Sequence, residues 1–146
     1  MGRTALGAIV GYVVMLIFII ATFTVVAPLL GMERLFEPGT WDASSFWLTI
    51  SISLSVVGAI LGGMVATRVG RSPRAATWLA VLVFVLGTAM AVSGVNETTR
   101  GGPRAPEATI ADAGAHTRQP TWLMYLNPLL GAAGVLVGGR GRRVQA

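Results

Sequence analysis

Apolar residues fall in four long blocks, at residues 4–30, 46–69, 75–95 and 121–139, separated by polar stretches at 31–45, 70–74 and 96–120. The second block has the plainest layout: it opens on the pair Phe46-Trp47, carries no charge as far as Thr67, and ends among Arg68, Arg71 and Arg74. Such a segment suits a helix that crosses a bilayer with its aromatic end at one face and its arginine end at the other. The pattern predicts an all-α membrane protein, a single domain of four transmembrane helices.

The first block is longer than the roughly 20 residues that a hydrocarbon core requires, so it is expected to tilt or protrude. It also exceeds the roughly 7–15 apolar residues of a secretory signal and has no small-x-small site after it, so it reads as a retained span. Pro28 is expected to mark its end. In the first outer loop, residues 31–45, Met32, Leu35 and Phe36 recur at helical spacing and predict one short turn on the membrane surface. Pro38-Gly39 is a turn signal, and Asp42, Ser44 or Ser45 can cap the second span. Trp41 and Trp47 are expected at interfacial depth.

Ser72 reads as an N-cap and Pro73 as a first helical residue, which makes the second and third spans antiparallel neighbours joined by a very short link. Trp78 lies near the arginine-rich end of the third span. Residues 96–120 are rich in Gly, Pro, Ala and Thr and lack apolar periodicity, so this second outer loop is either disordered or held by something else. Within it, Pro106-Glu107 is expected to open a short helix through Ala113. Trp122 and Tyr125 mark the interfacial start of the fourth span, and Asn127-Pro128 predicts a bend.

Charge supplies the orientation. Arg3, Arg68, Arg71, Arg74, Arg140, Arg142 and Arg143 fall on one side with no acid, whereas all 6 acids fall in the two opposite loops. The positive-inside rule therefore predicts both termini and the short link in the cytoplasm, with Arg68, Arg71, Arg74, Arg140, Arg142 and Arg143 as anchors. The net charge of +5 follows from these helix-end arginines, so nucleic acid is not implied as a partner. With 0 cysteines, a disulfide framework, thiolate metal site, iron–sulfur cluster and Cys nucleophile are excluded.

Candidate chemistry is sparse. No span carries an Asp, Glu, Lys, Arg or His in its central part, where ion-driven transporters keep such a residue. The small multidrug exporters, similar in length and helix count, carry a glutamate in their first span, and residues 5–27 here hold none. The only histidine, His116, stands near Asp112 and Glu107, a grouping read as solvated loop residues rather than a metal site. Met15, Met64 and Met90, one per span, read as packing or lipid contacts. Ser51, Ser53 and Ser55 lack a histidine or carboxylate at their depth, which removes a serine hydrolase. Asn96-Glu97-Thr98 matches a glycosylation acceptor. No metal or cofactor is expected.

The remaining signal is glycine at four-residue spacing: Gly7/Gly11, Gly58/Gly62 and Gly134/Gly138. Such pairs let helices approach closely, either within the bundle or against another subunit. Residues 61–71, LGGMVATRVGR, resemble the Gly-Gly-to-Arg helix ending of small uncharacterised four-helix bacterial membrane proteins. The resemblance implies a bacterial inner-membrane location and no particular activity.

These readings favour a non-catalytic accessory subunit of a larger integral-membrane assembly, of the respiratory or photosynthetic kind, that binds no redox cofactor through its own side chains. Its expected partners are the lipid bilayer and other membrane subunits. The alternative is an oligomeric small-solute transporter or channel, with Ser51, Ser53, Ser55, Thr88 and Ser93 as the available polar lining. A surface enzyme using His116 and the outer-loop acids ranks third.

Overall fold

The structure, a computed structural model, describes residues 2–95 and 103–140. The expected anchors Arg142 and Arg143, and the Asn96-Glu97-Thr98 acceptor, lie outside the described residues. Among the described residues six helices follow in order: α1 (Gly2–Leu30), α2 (Met32–Leu35), α3 (Ser45–Gly70), α4 (Pro73–Val95), α5 (Ile110–His116) and α6 (Thr121–Arg140). Four of them, α1, α3, α4 and α6, are long and apolar enough to cross a membrane. The chain is an all-helical, multi-pass membrane protein.

The helix ends follow local chemistry. Pro28 was expected to stop α1, but the helix continues to Leu30 with Pro28 inside it. A proline withholds one N–H without forcing an immediate stop in the last turn. The stop comes at Gly31, whose φ of 73° few other residues adopt. Ser44 caps α3, its hydroxyl accepting the Trp47 N–H at 3.1 Å. The link to α4 consists of Arg71 and Ser72, and the Ser72 hydroxyl accepts the Arg74 N–H at 3.3 Å.

The short outer helix starts later than the expected Pro106 and ends beyond Ala113. Pro106 and Glu107 form a turn, and α5 begins at Ile110 after Thr109. Thr109 with Asp112 three residues on is the stronger initiation signal, since the Asp112 carboxylate accepts both the Thr109 N–H and its hydroxyl at 2.8 Å. At α6, Pro128 sits inside a helix that runs unbroken from Thr121 to Arg140.

Helices α1 and α6 each pack against both α3 and α4, so the four spans form one bundle. Its inner core is mostly alanine: Ala59, Ala66, Ala75 and Ala76 are buried with Leu79 and Val135. Lipid tails are as apolar as leucine, so burying large aliphatic side chains gives no advantage over exposing them to the bilayer. Association rests on close contact instead, which small residues permit. A second cluster closes the end of the bundle away from the Arg71-Ser72 link, where Leu35, Phe36, Trp41, Trp47 and Leu123 pack together.

Candidate functional site

The six glycines singled out by spacing all lie inside the bundle. A Cβ on Gly7 would stand 2.6 Å from the Ala66 carbonyl, and one on Gly11 2.6 Å from the Gly62 carbonyl. Gly62 in turn faces the Gly11 carbonyl at 3.0 Å, while Gly58 meets the Phe18 ring at 2.9 Å. Across the bundle, Gly134 lies against Ala59, and Gly138 against the Ile60 backbone. These faces are therefore occupied by the chain's own helices. Spacing did not single out Gly63, which sits against the Val135 backbone, or Gly139, which sits against Ala76 and Thr67.

The arginines at the helix ends, Arg3, Arg68, Arg71, Arg74 and Arg140, gather at one end. Gly70 lies beside the Arg3 carbonyl and Ala75, and Gly139 beside Ala76, so the start of α1, the Arg71-Ser72 link and the end of α6 are neighbours. Arg68, Arg71, Arg74 and Arg140 sit at this end on those elements. Arg71 itself takes a left-handed conformation, φ 49° and ψ 28°.

At the opposite end the two outer loops fold onto each other. The strand-like pairings Phe36 with Ala43, Thr40 with Pro103 and Asp42 with Arg118 tie residues 36–43 into a small hairpin and join it to the second loop. The Arg118 N–H donates to the Trp41 carbonyl at 2.9 Å, and the Arg104 N–H donates to the Gly39 carbonyl at 2.9 Å. Sequence left residues 96–120 disordered or held by something else; the described part is held by the first loop. Arg104 is the fastener. Its guanidinium meets Glu33 at 2.9 Å and donates to the Met32 carbonyl at 3.1 Å. It also lies 5.8 Å above the Phe36 ring centroid. No periodicity or motif distinguishes Arg104 from the other loop arginines, so its role emerges only once the loops are brought together.

Trp41 and Trp47 stand at this outer end, but their side chains turn inward and are buried, rather than lying in the lipid headgroups. Trp47 packs edge-on against Phe23 at 5.3 Å, and Trp41 packs edge-on against Phe36 at 5.4 Å. Trp78, Trp122 and Tyr125 are exposed, as side chains at an interface would be. His116 stacks on Trp41, with ring centroids 5.2 Å apart, and its Nδ1 lies 3.0 Å from the Asp112 carbonyl. The Asp112 carboxylate is engaged by Thr109. The Thr109 N–H, then its hydroxyl and the nearby His116 hold that carboxyl below its ordinary value of 3.8. Among the described residues no three His, Cys, Asp or Glu side chains converge as a metal site would require.

Between these ends lies a cavity of about 390 Å³, walled by all four spans. Met15 and Ile19 of α1, Ser55 and Ala59 of α3, and Val83 and Met90 of α4 line it. Asn127 and Pro128 of α6 complete the wall with Gln119, which precedes that helix. Met15 and Met90, which sequence placed on separate spans, thus share one space. The hydroxyls of Ser51, Ser53 and Ser93 bond to carbonyls of their own helices instead. Asn127 was read from sequence only as part of a bend signal; its position on the cavity depends on how α6 packs.

The cavity has mostly apolar walls, a few neutral polar groups and, among the described residues, no charge. Compared with known proteins, the chain matches no family model, no curated protein and no solved structure.

Proposed function

We propose that the protein is a non-catalytic accessory subunit of a larger integral-membrane assembly, in a bacterial inner membrane with both termini and the Arg71-Ser72 link in the cytoplasm. The observation that carries this reading is the bundle interior. Helices meet backbone to backbone through Gly7, Gly11, Gly62 and Gly138, which suits a rigid scaffold rather than a polar transport path. Because those glycines are engaged internally, a partner would use the outward apolar faces, such as Ile9, Ile17 and Ile20 of α1 or Val81 and Val85 of α4. The proposed assembly is of the respiratory or photosynthetic kind. The orientation rests on the arginine-rich end and the positive-inside rule.

Purification of the tagged protein from its native membrane in mild detergent, followed by mass spectrometry, tests the assignment. Stoichiometric recovery of a larger complex supports it, and recovery of the chain alone overturns it. The cysteine-free sequence allows a clean orientation test. An impermeant maleimide applied to spheroplasts should label Glu107→Cys and spare Ser72→Cys; the reverse pattern overturns the orientation.

The second reading, a transporter or channel, is favoured by the cavity. Its apolar walls suit a lipid-like solute better than an ion, and flux into liposomes holding the purified protein alone would support it.

A further inference from the structure

The cavity carries two amides toward one end and the Ser55 hydroxyl deeper in its wall. Gln119 stands just before α6, at the outer end, and Asn127 is the seventh residue of that helix. At a rise of about 1.5 Å per residue, Asn127 lies about 9 Å inside the span. Deeper walls come from Met15, Ala59 and Val83. Among the described residues the exposed Asn127 side chain has no hydrogen-bond partner, so its amide is available to a ligand in the cavity. Pro128 has no N–H to give to the carbonyl of Met124, another wall residue.

We propose that this cavity binds one neutral acylglycerol-type lipid, its hydroxyl- and carbonyl-bearing head at Gln119 and Asn127 and one acyl chain laid between α1 and α4. Four observations select this occupant. Among the described residues no Arg, Asp, Glu or His lines the space, so a phosphate-bearing head would meet no counter-charge from them. No aromatic side chain among the described residues lines it either, so a flat quinone-type ring would find none of them to stack on. The volume of about 390 Å³, at about 30 Å³ per water-sized group, holds about a dozen such groups, the scale of one acyl chain. Finally, Met90 lines the cavity and is 75% exposed, so the space reaches the lipid-facing surface and a chain can enter sideways from the bilayer. The amide of Asn127 then donates to and accepts from the head. This binding is independent of whether the chain also joins an assembly.

The test uses the full chain in liposomes with a photoactivatable diazirine on the acyl chain of diacylglycerol, and separately on phosphatidylglycerol, followed by peptide mapping. Diacylglycerol should label peptides of α1, α4 and α6 that line the cavity. Labelling there should fall about fivefold in Asn127→Leu, the scale of one lost hydrogen bond. That substitution replaces an amide by an apolar side chain of similar size and suits a membrane span, so loss of folding is not expected. A second variant, Ala91→Phe, fills the cavity from α4 with Asn127 intact and should also abolish the labelling. Equal labelling by the anionic probe, labelling spread over outward faces, or labelling unchanged in both variants overturns the proposal. Displacement by an unlabelled prenylquinone more readily than by unlabelled diacylglycerol overturns the choice of head group.

Discussion

Gly11 of α1 and Gly62 of α3 lie so close that each carbonyl fills the place where the other's Cβ would stand, at 3.0 Å for the Gly62 position and 2.6 Å for the Gly11 position. The obstruction in both cases is backbone, which cannot rotate away as a side-chain tip can. The crossing of α1 over α3 is thereby made specific to glycine at two facing positions.

Gly11→Ala should destabilise the bundle by about 1–3 kcal/mol, the usual cost of overpacking. Gly138→Ala, set against the Ile60 backbone, should behave alike, whereas Gly2→Ala meets nothing within 4 Å and should be neutral. Thermal unfolding of the three variants in one detergent checks the ranking. Equal midpoints for Gly11→Ala and Gly2→Ala would disprove the crossing.

Arg104 holds the two outer loops together through Glu33, the Met32 carbonyl and the Phe36 face. Glu33 is largely exposed, so the ion pair itself contributes little. The bond to the carbonyl and the ring contact carry more. Arg104→Ala should cost about 1–3 kcal/mol, and Arg104→Lys should recover little of it because a point charge cannot reproduce the planar fork. Faster hydrogen exchange at the Arg118 amide in both variants would verify this; exchange at the wild-type rate would refute it.

Asp112 gives the outer cap a defined acid response. Its carboxyl is held below 3.8 by Thr109, so its contribution is complete above that unfolded value and is lost as pH falls through the lower folded value. The start of α5 should therefore loosen only in strong acid, carrying His116 away from Trp41. Tryptophan fluorescence would show an acid transition that disappears in Asp112→Asn. An identical transition in the variant would assign it elsewhere.

Arg71 holds φ at 49° without being glycine, in a conformation that costs an L side chain about 1 kcal/mol. Arg71→Gly should accordingly raise stability by about that amount, while Gly70→Ala should lower it because a Cβ there meets the Ala75 Cβ at 2.6 Å. Denaturation in detergent separates the two adjacent positions by sign.

The membrane architecture was legible because it depends on one-dimensional properties: length, hydropathy and helix-stop chemistry are carried by consecutive residues. The four spans and the short turn at residues 32–35 could be read in this way, and the cap of α3 was narrowed to Asp42, Ser44 or Ser45, of which Ser44 is the one that bonds. Thr109 and Asp112 carried the start of α5 just as openly, but Pro106 drew the expectation four residues too early. The glycine pairs were visible too, although spacing alone did not say whether their partner was this chain or another.

Tertiary structure decided what depends on which helices and loops become neighbours. It set Gly11 against Gly62, turned Trp41 and Trp47 inward, and brought Arg104 to Glu33 across 71 positions of chain. It also opened a cavity beside Asn127. These relationships arise from close packing among segments distant in sequence, and a hydropathy pattern records whether a residue prefers lipid, not which backbone it will touch.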